Sequence, residues 1–302
     1  MIVVHDEVAA ALAAGRPVVA LESTIIAHGL PRPDNLRIAR EIEEAVRSEG
    51  AVPATIAVVG GTVRVGLDDA ALEALALGFD VDKLSLRDLG PAIVSGRPGA
   101  TTVASTAHLA ALAGIGVFAT GGLGGVHREA ATTFDESADL AGLAATPIVV
   151  VCAGVKSILD VGATLERLET LSVPVLGYGT DRLAGFYLAD SGHSLPWRAD
   201  TSDEIAAIHT ARRRLDLPQA LVVEPRIHLE FLGQRVGHDQ RLGQVEALAA
   251  AEAAGVAGKD VTPFILGRFH ERTAGASLRV NVDLVLRNAA LAARIAGALA
   301  SG

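Results

Sequence analysis

The sequence predicts an α/β protein: α/β/α layers around a mixed, largely parallel sheet, with a helical C-terminal third. Three observations carry this. Short apolar runs alternate with amphipathic helical stretches through most of the chain, half of the 302 residues are apolar, and aromatics make up only 3%. Small apolar side chains suit helices laid closely on a buried parallel sheet, and a chain this long buries enough surface to fold without cross-links. No low-complexity linker, repeat or long charge run divides it, so residues 1–302 read as a single domain.

Taken in order, residues 17–22 (Pro-Val-Val-Ala-Leu-Glu) form a continuous apolar run and hence a buried strand. Residues 34–50 form a helix, with Ile38, Ile42 and Val46 on one face and Gly50 as its stop. Residues 55–59 and 62–65 flank Gly60-Gly61, which predicts a two-residue hairpin and makes the sheet mixed. Further strands follow at 116–119, 148–152, 173–177 and 220–223. The hydroxyl-rich stretch 99–106 opens a helix, residues 140–144 belong to another, and the Ala/Leu/Arg-rich stretches 239–254 and 277–299 close the chain as helices.

A net charge of -9 excludes a general nucleic-acid or anionic-membrane surface, because such binding draws on clustered positive charge. A nucleotide-sized substrate stays allowed. Cys152 is the only cysteine, so no internal disulfide forms, and its apolar strand predicts a packed, inert thiol. The N-terminus has no basic segment leading into a long apolar one, and no stretch spans a membrane without polar interruption. A cytoplasmic protein is the expectation.

Lysine is scarce: of 26 basic residues only Lys83, Lys156 and Lys259 are lysine. Lys156 stands at the end of the apolar run 147–155. Unlike a guanidinium, an amine can lose its proton and attack a carbonyl, which points to Schiff-base chemistry. Glu22 ends another apolar strand, at the edge where α/β sheets build sites; burial there raises a carboxyl pKa and makes a general acid, while the alternative is a carboxylate held by backbone amides. His28 follows close by.

The turn Gly121-Gly-Leu-Gly-Gly-Val-His127-Arg128 offers backbone amides and charge to an anion, or is simply a tight turn. It lacks the dinucleotide spacing, and Gly258-Lys259 lacks that of a phosphate loop. Asp135, Glu136 and Asp139 surround Ser137; acids suit a helix start, and one Asp completed by water suits a hard divalent cation. The histidines lack zinc spacing, and no nucleophile elbow is present.

Six segments together, 20–29, 52–56, 99–106, 118–127, 134–139 and 151–160, resemble the pseudouridine-5'-phosphate glycosidase (indigoidine synthase A-like) family, and the likeness continues through 164–170, 262–264 and 273–278 toward Asn281. The resemblance implies reversible cleavage of the C–C glycosidic bond of pseudouridine 5'-phosphate to uracil and ribose 5-phosphate, with a divalent metal, manganese, in a homotrimer. It makes Lys156 the nucleophile, Glu22 the proton donor and Asp135 the metal ligand. It makes Lys83, Val103, Ser137, Ala138 and Asp139 substrate contacts, with His127 and Asn281 in the same site. Without it, Lys83 reads as a solvated lysine in the turn 80–83. The sequence departs from the family pattern at 183–187 and 268–272. The alternatives are a class I aldolase-like lyase using the same lysine on another sugar phosphate, and a non-catalytic sugar-phosphate binder.

Overall fold

Eleven strands join in one sheet in the computed structural model, which describes residues 2–156, 158–186, 190–226, 250, 254, 264 and 276–302. The strands are β1 (Ile2–Val4), β2 (Val18–Leu21), β3 (Val52–Val59), β4 (Thr62–Val65), β5 (Asp82–Leu84), β6 (Gly99–Thr101), β7 (Val117–Ala119), β8 (Val149–Val151), β9 (Val175–Tyr178), β10 (Trp197–Ala199) and β11 (Leu221–Pro225). Their order is β1-β4-β3-β2-β7-β8-β11-β9-β10, with β6 paired to β3 and β5 to β6. From β3 through β10 this row is parallel, while β4 and β6 run antiparallel to β3. The expected hairpin is β3 and β4, turned at Gly60-Gly61. The strands β1, β5, β6 and β10, three residues each, were not singled out from sequence.

The helices are α1 (Asp6–Ala13), α2 (Asp34–Ser48), α3 (Asp69–Leu77), α4 (Leu86–Ser95), α5 (Val103–Leu112), α6 (Ala130–Thr133), α7 (Ala138–Ala144), α8 (Val161–Thr170), α9 (Ser202–Arg214) and α10 (Ala276–Ser301). A short π-helical turn, Ile25–Gly29, follows β2. The expected helix at 239–254 lies outside the described residues, apart from 250 and 254, as do Lys259 and the departures at 187 and 268–272.

Alternation along the central strands sorts the layers. Val18 and Ala20 of β2 face α1, α5, α7 and α8, whereas Val19 and Leu21 face α2, α9 and α10. This is the α/β/α arrangement. Ile38, Ile42 and Val46 are the buried stripe of α2, as their spacing predicts. Among the described residues one helical stretch, Leu278–Ser301, is long and apolar enough to cross a membrane. Here Val285, Ala289, Ala292 and Ile295 bury it against the sheet. Cys152 is fully buried beside β8, and burial pushes its thiol well above the ordinary range.

Candidate functional site

The sheet reverses its winding between β2 and β7. From β2 the chain crosses through α2 on one face to β3, and from β7 it crosses through α7 on the other face to β8. Segments leaving the carboxyl ends of two such strands diverge and open a crevice, the usual place for a ligand in an open α/β sheet. Glu22 follows β2, the glycine turn follows β7, and Lys156 lies five residues beyond β8.

A cavity of about 390 Å³ fills this crevice. Lys156, Glu22, Lys83, Val103, His127, Asp135, Ser137, Ala138, Asp139 and Asn281 all line it, as does His28. The cavity draws these side chains from strand ends, helix starts and α10, far apart in the chain. Lys83 stands on β5 and faces the cavity, which corrects its reading as a solvated turn residue.

Glu22 is buried, and the Thr120 hydroxyl donates to its Oε1 at 2.5 Å. Burial raises its pKa above the ordinary carboxyl range; the charge of Lys156 and the Thr120 bond pull the other way, Asp139 adds to the rise, and Lys83 opposes it. Glu22 therefore keeps its proton to higher pH than a free carboxyl does, with the Lys156 charge close enough to oppose the rise. Asn288 of α10 donates to the Thr120 carbonyl at 2.8 Å, which fixes the hydroxyl that holds Glu22.

Lys156 is placed by its backbone. Its amide donates to the Leu123 carbonyl at 3.1 Å, and the Leu123 amide donates to the Gly154 carbonyl at 3.0 Å. The glycine turn is thus part of the frame that carries the lysine. Several of its amides donate to protein acceptors: Gly124 to Asp139 Oδ2, Val126 to Thr164 Oγ1 and His127 to the Asp135 carbonyl. Gly121, Gly122 and Gly124 nevertheless line the cavity. Arg128 reaches the Ile158 carbonyl at 3.2 Å.

Asp139 is buried, and its two oxygens accept from Ala104 and Gly124, each at 3.0 Å. It ties the start of α5 to the glycine turn. Glycine is required at 124, where a Cβ would lie 2.1 Å from Ser137 Oγ. Ser137 caps α7 by accepting from the Asp139 amide at 3.2 Å, so the structural reading of the acidic helix start also holds. Asp135 lies 3.7 Å from His127 Nδ1, and Glu136 is held by Arg167 at 2.9 Å.

A family model described as "Indigoidine synthase A like protein" matches residues 7–298. The chain belongs to this family. Among curated relatives of the indigoidine synthase A-like family, the pseudouridine-5'-phosphate glycosidase of Salinispora tropica is 60% identical over 98% of this chain and 91% of its own. That of Streptomyces griseus is 58% identical over 97% and 91%. A crystal structure of the prealnumycin C-glycosynthase AlnA in complex with ribulose 5-phosphate superposes with a TM-score of 0.90 at 38% identity, covering 100% of this chain and 97% of that one. An indigoidine synthase A-like protein from Thermotoga maritima gives 0.88 at 34%, covering 99% and 97%.

Thr120, Asn288, Phe186, Ser85 and Arg87 belong to the same surroundings and were not singled out from sequence. Thr120 had a signal, since it ends β7 as Glu22 ends β2. Phe186 and Asn288 had none, because only the folded chain brings them to the crevice.

Proposed function

We propose that the protein reversibly cleaves the C–C glycosidic bond of pseudouridine 5'-phosphate, giving uracil and ribose 5-phosphate through a Schiff base on Lys156. The coarse part, an enzyme of the pseudouridine-5'-phosphate glycosidase kind, rests on relatives at 58–60% identity over nearly the whole chain. The observation that supports the finer part is one cavity that holds an amine beside a buried carboxyl whose pKa is raised by that burial.

A carbon leaving group defeats the paired-carboxylate route of ordinary glycosidases, so electron withdrawal must come from elsewhere. Glu22 gives its proton to the ribose ring oxygen as the C1'–O bond breaks, and the Lys156 amine bonds to C1' and loses a proton. The nitrogen lone pair then forms C1'=N⁺, the C1'–C5 electron pair leaves with uracil, and C5 takes up a proton. Water adds to the iminium and releases ribose 5-phosphate, restoring the amine; the sum is substrate plus water to uracil plus ribose 5-phosphate. Lys83, Val103 and Ser137 to Asp139 line the wall that would hold the sugar phosphate, with His127 and Asn281 completing it.

Among the described residues no group of three His, Cys, Asp or Glu side chains gathers for a metal. The donors present fit a hydrated hard cation, held by Asp135 with water making up its shell. Manganese, which the family resemblance implies, would there neutralise anionic substrate oxygens. We extend the reading to a homotrimer in the cytoplasm, where a single buried thiol needs no oxidising compartment.

Incubation with manganese and pseudouridine 5'-phosphate, against a chelated control, tests the reaction. Equal amounts of uracil and ribose 5-phosphate, released only with metal, are expected. A folded, metal-loaded sample that releases neither, and makes no pseudouridine 5'-phosphate from the two products, refutes it. Sugar cleavage without a uracil chromophore would instead indicate the aldolase-like lyase.

A further inference from the structure

Beside the crevice lies a smaller cavity of about 10 Å³, on the face of the sheet that carries α2 and α10. Ile26, Ala39 and Ile42 give it apolar walls, and the polar side chains that line it are Glu22, Thr120 and Thr55. Glu22 also lines the large cavity, so it stands in the partition between the two.

Thr55 reaches this place by register and alternation. It pairs with Leu21 across β2 and β3, while its neighbours Ala54 and Ile56 face the opposite layer, which leaves its own side chain on the α2 side. It is 1% exposed, and its hydroxyl donates to Glu43 Oε1 at 2.6 Å. Glu43 follows Ile42 on α2 and is partly exposed, within reach of solvent. Burial pushes its carboxyl above the ordinary range; the Thr55 bond and Arg47 oppose the rise, and Asp69 and Glu7 add to it. Arg47 is itself taken by Glu7, through both carboxylate oxygens at 2.5 and 2.8 Å.

A cavity of this size has room for one water, and a buried water needs two to four polar partners, which Glu22, Thr55 and Thr120 supply. In the proposed reaction Glu22 gives up its proton at ring opening, and water reaches the imine only after uracil has left. Through that interval the sugar phosphate occupies the large cavity. The rear side of Glu22 stays open.

We propose a proton relay at the back of Glu22: one water in the small cavity joins Glu22 to Thr55, and a proton passes from Glu43 through the Thr55 hydroxyl and this water to Glu22. The Glu43 O–H bond breaks as Thr55 Oγ1 gains the proton. The Thr55 hydroxyl, turned from Glu43 toward the water, gives its own proton on, the water gives one to the Glu22 carboxylate, and solvent reprotonates Glu43. Each member receives one proton and hands one on. The proton released when water attacks the imine leaves by the same route in reverse, so the overall reaction is unchanged. Glu43 and Thr55 act on the substrate only through Glu22.

The relay rests on Glu22 as the proton donor of the reaction above. Glu43→Gln leaves Thr55 an acceptor but has no proton to hand on, Thr55→Val keeps the volume and cuts the link, and Thr55→Ser keeps the hydroxyl. Turnover of each is compared with the wild type in H2O and D2O. In Glu43→Gln and Thr55→Val we expect kcat to fall about tenfold at unchanged KM and the solvent isotope effect on kcat to rise about twofold, with Thr55→Ser close to the wild type. Wild-type kcat in Glu43→Gln overturns the relay. So does a fall in kcat with no rise in the isotope effect, which is what disturbed packing alone would give. If Thr55→Val does not fold, Glu43→Gln carries the kinetic test. A high-resolution crystal structure reads the link without turnover: an ordered water within hydrogen-bond distance of both Glu22 and Thr55 is expected, and a dry cavity overturns the proposal. A wild type that releases no uracil takes the functional reading and the relay down together, whereas an active wild type matched by Glu43→Gln removes the relay alone.

Discussion

Two acids that close apolar strands show how position gives one residue type different surroundings. Glu22 and Glu224 are both buried and both hold their protons above the ordinary carboxyl range. Glu22 faces the cavity beside an amine, whereas Glu224 faces backbone. For Glu22 we expect Glu22→Gln to bind substrate while losing about 10²–10⁴-fold in kcat, read by product release alongside a binding titration. Full activity in that variant would remove Glu22 as the acid. Lys156→Arg keeps the charge but has no amine to give, so turnover should fall below detection under conditions where the wild type is fast. Lys156 was legible because lysine is so rare in this chain. Glu224 carried the same strand-end signal as Glu22, yet nothing in the sequence says that it would be buried beside Gly154, seventy residues earlier.

The cavity depends on how strand ends and helix starts are tied together. Asp139 joins the first turn of α5 to the glycine turn with both oxygens, which a reading of the acidic stretch 135–139 could take only as helix-dipole or metal chemistry. The glycine-dense stretch 121–125 also serves the protein's own packing. Its close approaches include Ser137 and Asp139 at Gly124 and Thr164 at Gly125. Gly124→Ala should therefore destabilise the fold by roughly 1–3 kcal/mol, measured as a lower urea midpoint at unchanged slope. A variant as stable as the wild type would show that Ser137 and Asp139 yield without strain. The hairpin, the α2 stripe and the central strands were legible because each is a local pattern. The switch between β2 and β7 was not, since it depends on which face each crossover takes.

For the whole molecule, buried ionisable groups set opposing slopes of stability with pH. His209 on α9 is held at about 4, against 6.5 when free, by burial and then by Arg213 and Arg212. From pH 6.5 down to about 4 the unfolded chain takes up a proton that the folded one refuses, so His209 removes stability on acidification. Glu224 acts in the other sense, with stability fully present below pH 4.5 and lost as pH rises toward 8. Glu22 and Glu43, also raised by burial, share that sign. Urea midpoints should accordingly fall between pH 6.5 and 8, with a shallower fall in Glu224→Gln; an identical slope in that variant would place the titrating group elsewhere.

The central claim is that the Lys156 amine bonds to the sugar carbon. Borohydride reduction in the presence of ribose 5-phosphate, followed by peptide mass analysis, tests it most directly, because reduction turns an imine into a stable secondary amine. The account predicts a reduced pentose phosphate on the peptide bearing Lys156 in the wild type and none in Lys156→Arg. A wild-type protein that yields product but shows no adduct on Lys156, or one trapped on a different lysine, would contradict it.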